Sequence, residues 1–424
     1  MRGLKAAVIG AGSTYTPELL EGFIERHGRL NFQTIALMDV DEEKLNVIGG
    51  LAARMLEKAG LQCKLTLTGD PDEAITGADY VFAQIRVGGL QARIRDEKIP
   101  LKHGLLGQET TGIGGFMNAL RTVPVMVEYA RKIEKLAPGA WLINFSNPSG
   151  IVADAILNHT GVKMFGLCNC PINMLAEIAQ AAGTGDFDYE YVGLNHLSWI
   201  TSVTVGGRDI IADLKGGADA KKTGIPEIEF EDALIRAVPA IPSYYLGYYY
   251  LRDEHIKECM EAEKTRGEVC VDIERDLLAK YRDKGLNEKP AELSQRGGAL
   301  YSTAAVSAAE AIENDKNEYH VVNVKNNGAL PFLYDGDVIE VKCLLNRDGV
   351  KPVKVSGEIS PYMVGLIQAV KAYERLTVSA AMNGCREDAL AALMVHPLIG
   401  DYKKAKAALD EMILANLEYL PQFK

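Results

Sequence analysis

Residues 6–9 form a short apolar run that ends in Gly10-Ala11-Gly12-Ser13-Thr14-Tyr15, and a helical pattern follows at once. A buried strand that breaks into glycines and resumes as a helix is the building unit of parallel α/β sheets. Leu19, Leu20, Phe23 and Ile24 recur at helical spacing behind Pro17, a residue suited to a first helical turn. Glycines in such a turn let backbone approach a pyrophosphate, whose charge then meets the helix N-terminus. Tyr15 stands at the third glycine position of the general dinucleotide fingerprint, so Gly10, Gly12, Ser13 and Thr14 carry the reading with their context. Asp39 closes the next strand, 24 positions after Tyr15. A carboxylate there accepts hydrogen bonds from ribose hydroxyls and repels a 2′-phosphate, which favours NAD over NADP. Asp41 stands close enough to share or replace that role. The reading without a ligand is a plain strand–turn–helix unit with Asp39 capping the next helix.

The rhythm continues. Strands are expected at 33–40, 64–68, 79–85, 140–145 and 162–167, with helices at 42–59, 123–136 and 148–158 between them. Alternation of this kind implies a mostly parallel sheet covered on both faces. Beyond residue 165 it is lost. Strands are expected at 191–192, 199–205, 320–324 and 338–345, and helices over 227–284, 299–314 and most of 362–417. Residues 214–224 read as an exposed polar loop. The fold class is therefore α/β: an N-terminal, Rossmann-type, doubly wound parallel sheet over 1–165, and an α+β domain over 166–424 for substrate, metal and oligomer contacts.

Composition narrows the function classes. The net charge of −11 argues against a nucleic-acid or anionic-membrane partner. Seven cysteines, an odd and scattered set, do not resemble a secreted disulfide framework and point to a reducing cytoplasm. No stretch approaches the ~18 apolar residues of a membrane helix.

Candidate chemistry gathers where expected strands end. Asn147-Pro148 follows 140–145, where ligands bind in open α/β folds, although Asn147 also suits a helix N-cap. Cys168-Asn169-Cys170-Pro171 follows 162–167, and Asn195-His196 comes later. Cys and His are metal ligands, but two of them do not complete a cage, and a buried thiol with a satisfied imidazole is the alternative. Arg86, Arg93, Arg95, Lys98 and Lys102 form a basic run in an acidic chain, either a phosphate subsite or a solvated loop. Residues 108–115 are glycine-rich and polar, like a loop that closes over a cofactor. Five tyrosines fall within 244–250. They suit a core or interface, or a general base beside a cation.

Together these residues resemble family 4 of the glycoside hydrolases, and within it the 6-phospho-β-glucosidases. The resemblance runs nearly end to end. It rests on Val8-Ile9-Gly10-Ala11-Gly12-Ser13-Thr14, Val87-Gly88-Gly89-Leu90, Asp96-Glu97-Lys98-Ile99-Pro100 and Gly107-Gln108-Glu109-Thr110. It continues through Asn144-Phe145-Ser146-Asn147-Pro148, Cys168-Asn169, Gly193-Leu194-Asn195-His196, Tyr245-Leu246, Arg296-Gly297-Gly298-Ala299 and His396-Pro397-Leu398. Tyr15 at the third glycine position is typical of that family.

The resemblance implies hydrolysis by redox and elimination, with NAD and a divalent metal, most commonly Mn²⁺, as cofactors. The sugar is oxidised at C3, deprotonated at C2, loses its glycosidic oxygen, adds water and is reduced again, outside the two-carboxylate scheme. By motif match Cys168 and His196 bind the metal, with substrate oxygens completing its shell, and Tyr245 is the C2 base. Arg93, Glu109, Asn147, Asn195 and Arg266 match substrate-binding positions. Asn169 stands where the 6-phospho-α-glucosidases carry Asp, and since Asn cannot protonate a leaving group it favours the β-type. The implied substrate is a phosphorylated disaccharide or aryl glycoside, and the implied assembly a homodimer or homotetramer. Another specificity of the family, or a malate/lactate-type dehydrogenase, is the alternative.

Overall fold

The computed structural model describes residues 2–217, 229–296 and 301–424. Its main sheet begins with the expected alternation: β1 (Leu4–Ile9), α1 (Thr16–Glu25), β2 (Phe32–Met38), α2 (Glu42–Lys58), β3 (Lys64–Thr68), α3 (Pro71–Ile75) and β4 (Tyr80–Ala83). It continues through α4 (Gly89–Lys102), α5 (Gly112–Leu136), β5 (Trp141–Asn144), α6 (Ser149–His159) and β6 (Lys163–Gly166). These six strands are parallel and lie in the order β3-β2-β1-β4-β5-β6. Strand order reverses beside β1, so the carboxyl ends of β1 and β4 flank a crevice, the place where ligands bind in doubly wound sheets. Ala6 to Ile9 and all of β4 are buried, as helices on both faces require. Burial stabilises side chains such as Val8 and Ile9 by roughly 1.5–3 kcal/mol each.

The chain then leaves the sheet. After α7 (Asn169–Ala182) it forms β7 (Asp188–Leu194), β8 (Leu197–Val205) and β9 (Arg208–Asp209), and β10 (Ile241–Pro242) completes a second, antiparallel sheet. Among the described residues, α8 (Ile211–Lys215), α9 (Asp232–Ala237), α10 (Gly247–Tyr250), α11 (Arg252–Glu261), α12 (Arg266–Tyr281) and α13 (Tyr301–Glu313) follow. Then β11 (Glu318–Lys325), β12 (Val338–Asn346) and β13 (Gly349–Pro352) return to the main sheet, antiparallel, on the far side of β6. The main sheet has nine strands and does not end at residue 165. Helices α14 (Pro361–Asn383), α15 (Arg386–Val395) and α16 (Tyr402–Ala415) close the fold, α14 packing on α5.

Several local expectations change. Residues 112–115 are the first turn of α5, not a loop: Gln108 Oε1 accepts Thr110 N at 2.6 Å and Thr111 N at 2.7 Å, folding the segment back on the helix. A Cβ on Gly115 would stand 2.4 Å from the Thr110 carbonyl, so glycine serves close packing there. The basic run is helical from Gly89 onward. The helical stretch expected over 227–284 is interrupted, among the described residues, by β10 and a 3₁₀ turn at Tyr244–Leu246. Of the expected loop at 214–224, residues 214–215 belong to α8 and 218–224 lie outside the described residues, as do residues 297–299 of the Arg296 motif.

Candidate active site

The glycine turn is pinned from both sides. Gly10 N and Ala11 N each donate to the Met38 carbonyl at 2.9 Å, and Gln84 Nε2 donates to Thr16 Oγ1 at 2.8 Å. Asp39 Oδ2 accepts Gly12 N at 2.7 Å, and Oδ1 accepts Asp41 N at 3.0 Å. A Cβ on Gly12 would stand 2.8 Å from the Asp39 carboxylate. Gly10 has φ +89°, and a Cβ there would meet the Gln84 carbonyl at 2.8 Å. Both glycines are thus demanded by close approach. The N-cap of α2 is Asp41, whose side chain accepts Lys44 N, so Asp39 is not the cap. Thr14 is buried and does not line the crevice; its carbonyl accepts the Tyr281 hydroxyl at 2.9 Å.

The crevice opens into a cavity of about 970 Å³ that runs from Gly10, Gly12, Ser13 and Asp39 to Arg93, Glu109, Cys168 and His196. This is at the upper end of the size range of small-molecule sites. Asn147, Asn169, Tyr245 and Arg266 also line it.

Cys168 and His196 meet at its deep end, Sγ to Nε2 3.3 Å. Cys168 is the N-cap of α7, after β6, and its sulfur accepts Cys170 N. His196 is in the two-residue loop between β7 and β8, with φ +64°. Burial pushes the Cys168 thiol up, and nearby Glu340 adds to the effect. Burial also holds His196 down at about 3, so the imidazole is neutral, the form that ligates metals. The Tyr245 ring stacks on the imidazole with centroids 3.8 Å apart and planes 12° apart. Burial pushes its phenol well above the ordinary range. A thiol and a neutral imidazole in contact on a cavity wall suit a divalent cation whose remaining ligands come from substrate oxygens, and a cation there would favour thiolate. Likewise the turn at Gly10 to Ser13, with a carboxylate beside it, suits a dinucleotide.

At the other wall Glu109 receives two guanidinium groups, Arg86 Nη2 at 2.7 Å and Arg93 Nη1 at 2.9 Å. Arg93 is buried on α4 and also bonds Glu97 at 2.7 Å, while Glu97 accepts Gly267 N at 2.7 Å from the first turn of α12. Two carboxylates beside Arg93 hold its pKa above the ordinary value against desolvation. The other cations of the basic run point elsewhere: Arg95 pairs with Glu418, Lys98 with Glu268 and Lys102 with Glu411. Arg266, the first residue of α12, donates to the Gln295 carbonyl at 3.0 Å. Asn147 precedes a cis proline, and its carbonyl accepts Asn118 Nδ2 at 3.1 Å.

Asn195 departs from expectation. It does not line the cavity; its amide lies behind the Cys168–His196 pair, bonded to Glu340 Oε1 at 3.0 Å and to Gly150 N at 3.4 Å. Arg86, a member of the basic run, lines the cavity, as do Tyr244 and Tyr248, which the tyrosine run does not single out. Glu340 was legible only as one carboxylate inside the apolar strand Val338–Asn346.

Fold and site define a dinucleotide-type α/β protein with a thiol–imidazole pair facing the cofactor crevice. Residues 5–184 match the family model "Family 4 glycosyl hydrolase", and residues 191–399 match its C-terminal domain. The chain is 41% identical to a probable 6-phospho-beta-glucosidase of Bacillus subtilis over 100% of its own length and 98% of that protein's. It is 40% identical to the 6-phospho-beta-glucosidase of Escherichia coli, over 99% of this chain and 97% of that protein. A solved structure of the Thermotoga maritima 6-phospho-beta glucosidase with manganese, NAD⁺ and glucose-6-phosphate superposes with a TM-score of 0.90 at 36% identity, covering 98% of this chain and 99% of that one. The chain belongs to family 4 of the glycosyl hydrolases.

Proposed function

We propose that this protein hydrolyses 6-phospho-β-glucosides, such as a phosphorylated disaccharide or an aryl glycoside, with NAD and a divalent metal, most readily Mn²⁺. The observation that carries the reading is the 3.3 Å Cys168–His196 pair with Tyr245 stacked on the imidazole, at one end of a cavity whose other end is the glycine turn. Its relatives' names, and the cofactors in the Thermotoga structure, support it. When bound, NAD⁺ accepts and returns a hydride at the sugar's C3, and the metal polarises the neighbouring oxygens.

The chain's own groups do the rest. Residues 1–165 hold the dinucleotide through Gly10, Gly12, Ser13 and Asp39 and contribute Arg93, Glu109 and Asn147 to the sugar site, and residues 166–424 supply the metal pair, Tyr245 and Arg266. Cys168 and His196 hold the metal. Tyr245 takes the C2 proton; its buried phenol needs the positive charge of the occupied site to ionise at neutral pH. Arg93 and Arg266 bind the phosphosugar, Asn147 and Glu109 contact its hydroxyls, and Arg86 joins the anion subsite through Glu109. Asn169 beside Cys168 offers no acid, which favours the β-linkage, whose leaving group departs from the other face. Asn195 acts from behind the pair rather than on the sugar.

A cytoplasmic homodimer or homotetramer completes the proposal. Seven free thiols fit a reducing compartment, and no helix among the described residues is long and apolar enough to cross a membrane.

Cleavage of a chromogenic 6-phospho-β-glucoside should require Mn²⁺ and NAD⁺ together and leave no net NADH. Turnover that survives chelation and cofactor removal would sink the reading. Accumulation of NADH with substrate consumed would point to a dehydrogenase instead.

A further inference from the structure

We propose that Glu340 is a positioning residue for the metal pair, holding His196 opposite Cys168 through Asn195. The proposal rests on the reading that Cys168 and His196 bind the divalent metal. The two ligands stand on different sheets. Cys168 follows β6 of the nine-stranded sheet, and His196 is at the tip of the β7–β8 hairpin of the smaller one. Their 3.3 Å approach therefore depends on how the hairpin is seated on the large sheet.

Glu340 is a fastening between them. It is 1% exposed, on β12 of the large sheet, and does not line the cavity. Its carboxylate accepts two hydrogen bonds from the hairpin, Asn195 Nδ2 at 3.0 Å and Tyr191 Oη at 3.2 Å. Asn323 Nδ2, on β11, donates to the same carboxylate at 3.1 Å and ties it to its own sheet. On its other side, Asn195 Oδ1 accepts Gly150 N at 3.4 Å, from the first turn of α6. The amide before the ligand is thus gripped by both sheet and helix. His196 itself has φ +64°, a left-handed conformation that a side chain rarely adopts and that surrounding contacts must hold. A buried carboxylate costs more than an apolar side chain unless its bonds are all made, so packing alone does not account for a glutamate at this position. Partners that orient a metal ligand without touching the metal commonly carry a factor of 10–100 in affinity.

The test measures Mn²⁺ and NAD⁺ affinities separately. Mn²⁺ is titrated in the presence of NAD⁺ and glucose 6-phosphate, with free Mn²⁺ read by electron paramagnetic resonance, and NAD⁺ by calorimetry. Glu340→Leu should weaken Mn²⁺ about 10- to 100-fold and leave NAD⁺ affinity within about twofold. Glu340→Gln, whose Oε1 can still accept from both asparagines, should recover most of the loss. Should the leucine variant not fold by circular dichroism, Glu340→Asp replaces it, since the shorter side chain withdraws the carboxylate from Asn195. Unchanged Mn²⁺ affinity in a folded Leu or Asp variant overturns the proposal, as does an equal loss of both affinities. Cys168→Ser separates the two readings: if it binds Mn²⁺ as the wild type does, the metal assignment itself fails.

Discussion

At the scale of single residues, the stacking of Tyr245 on His196 sets the most direct expectation. The phenol lies against His196, the proposed metal ligand, where a cation would stabilise its anion against the burial that raises it. Tyr245→Phe keeps the ring and its stacking but removes the hydroxyl of the proposed base. It should lower kcat by about 10²- to 10⁴-fold and suppress exchange of the C2 proton with solvent deuterium, while Mn²⁺ and NAD⁺ affinities stay close to wild type. Exchange at the wild-type rate in this variant would remove Tyr245 from the role. Most residues of this site were legible because each follows a strand end in a motif of several letters: Gly10 and Gly12, Asp39, Cys168, His196. Asn195 stands behind the cavity lining for a physical reason. The amide of Asn195 is taken up by Glu340, Gly150 and Cys168 beside the cavity, contacts that the motif alone does not reveal. Arg86 and Arg93 could not be told apart from Arg95, Lys98 and Lys102 by charge alone. The face of α4 distinguishes Arg93 from the others, Arg86 stands before the helix, and a helix with so weak a hydrophobic stripe leaves no clear signal, so a phosphate subsite and a solvated loop both stay open.

Between elements, one ion pair governs how α4 and α5 fit. Arg121 and Asp96 are each about 1% exposed and form a double contact, with Arg121 Nη1 2.9 Å from Asp96 Oδ1. Arg121 also reaches the Val87 carbonyl at 3.2 Å and Asn416 at 3.2 Å, so it ties the loop before α4 to the end of α16. Burial pushes the Asp96 carboxyl up and Arg121 pulls it back. Removing one partner leaves the other charge buried and unpaired. Asp96→Ala should therefore cost about 3–5 kcal/mol of stability, read as a lower urea midpoint. A loss below about 1 kcal/mol, as is typical of exposed pairs, would show that water reaches Arg121. The six parallel strands were legible from apolar runs alternating with helical spacing. The return of β11, β12 and β13 to the same sheet was not, because strand pairing across more than 150 residues leaves no local pattern.

For the whole molecule, a neutral buried histidine contributes to the response to acid. His396 is 1% exposed, against Tyr249 and Tyr373, and its Nδ1 accepts Leu398 N at 3.1 Å. Burial holds it down at about 3, against about 6.5 in the unfolded chain. The unfolded state thus binds the proton first as pH falls. The stability this group confers is complete above pH 6.5 and is lost progressively from there toward pH 3. Linkage gives a loss of about 2 kcal/mol between pH 7 and pH 5 from this one residue. His396→Gln cannot take up that proton, and its pH dependence over the same interval should be flatter by that amount in urea titrations at the two values. Parallel curves for variant and wild type would show that His396 titrates normally.

The edge of the main sheet has a consequence for how the protein is made. β6 is paired on one side by β5 and on the other by β11, with Asn323 opposite Gly166. When a ribosome has released the first six strands, the β6 edge has no neighbour until residues 318–325 emerge. A nascent chain stalled in that interval offers an open strand edge to other chains, and the delay is inherent in contacts of such long sequence separation. The sheet that carries the glycine turn is therefore complete only when just over three-quarters of the polypeptide has been synthesised, and Cys168, two residues beyond the strand that gains its neighbour late, gains its settled surroundings no earlier.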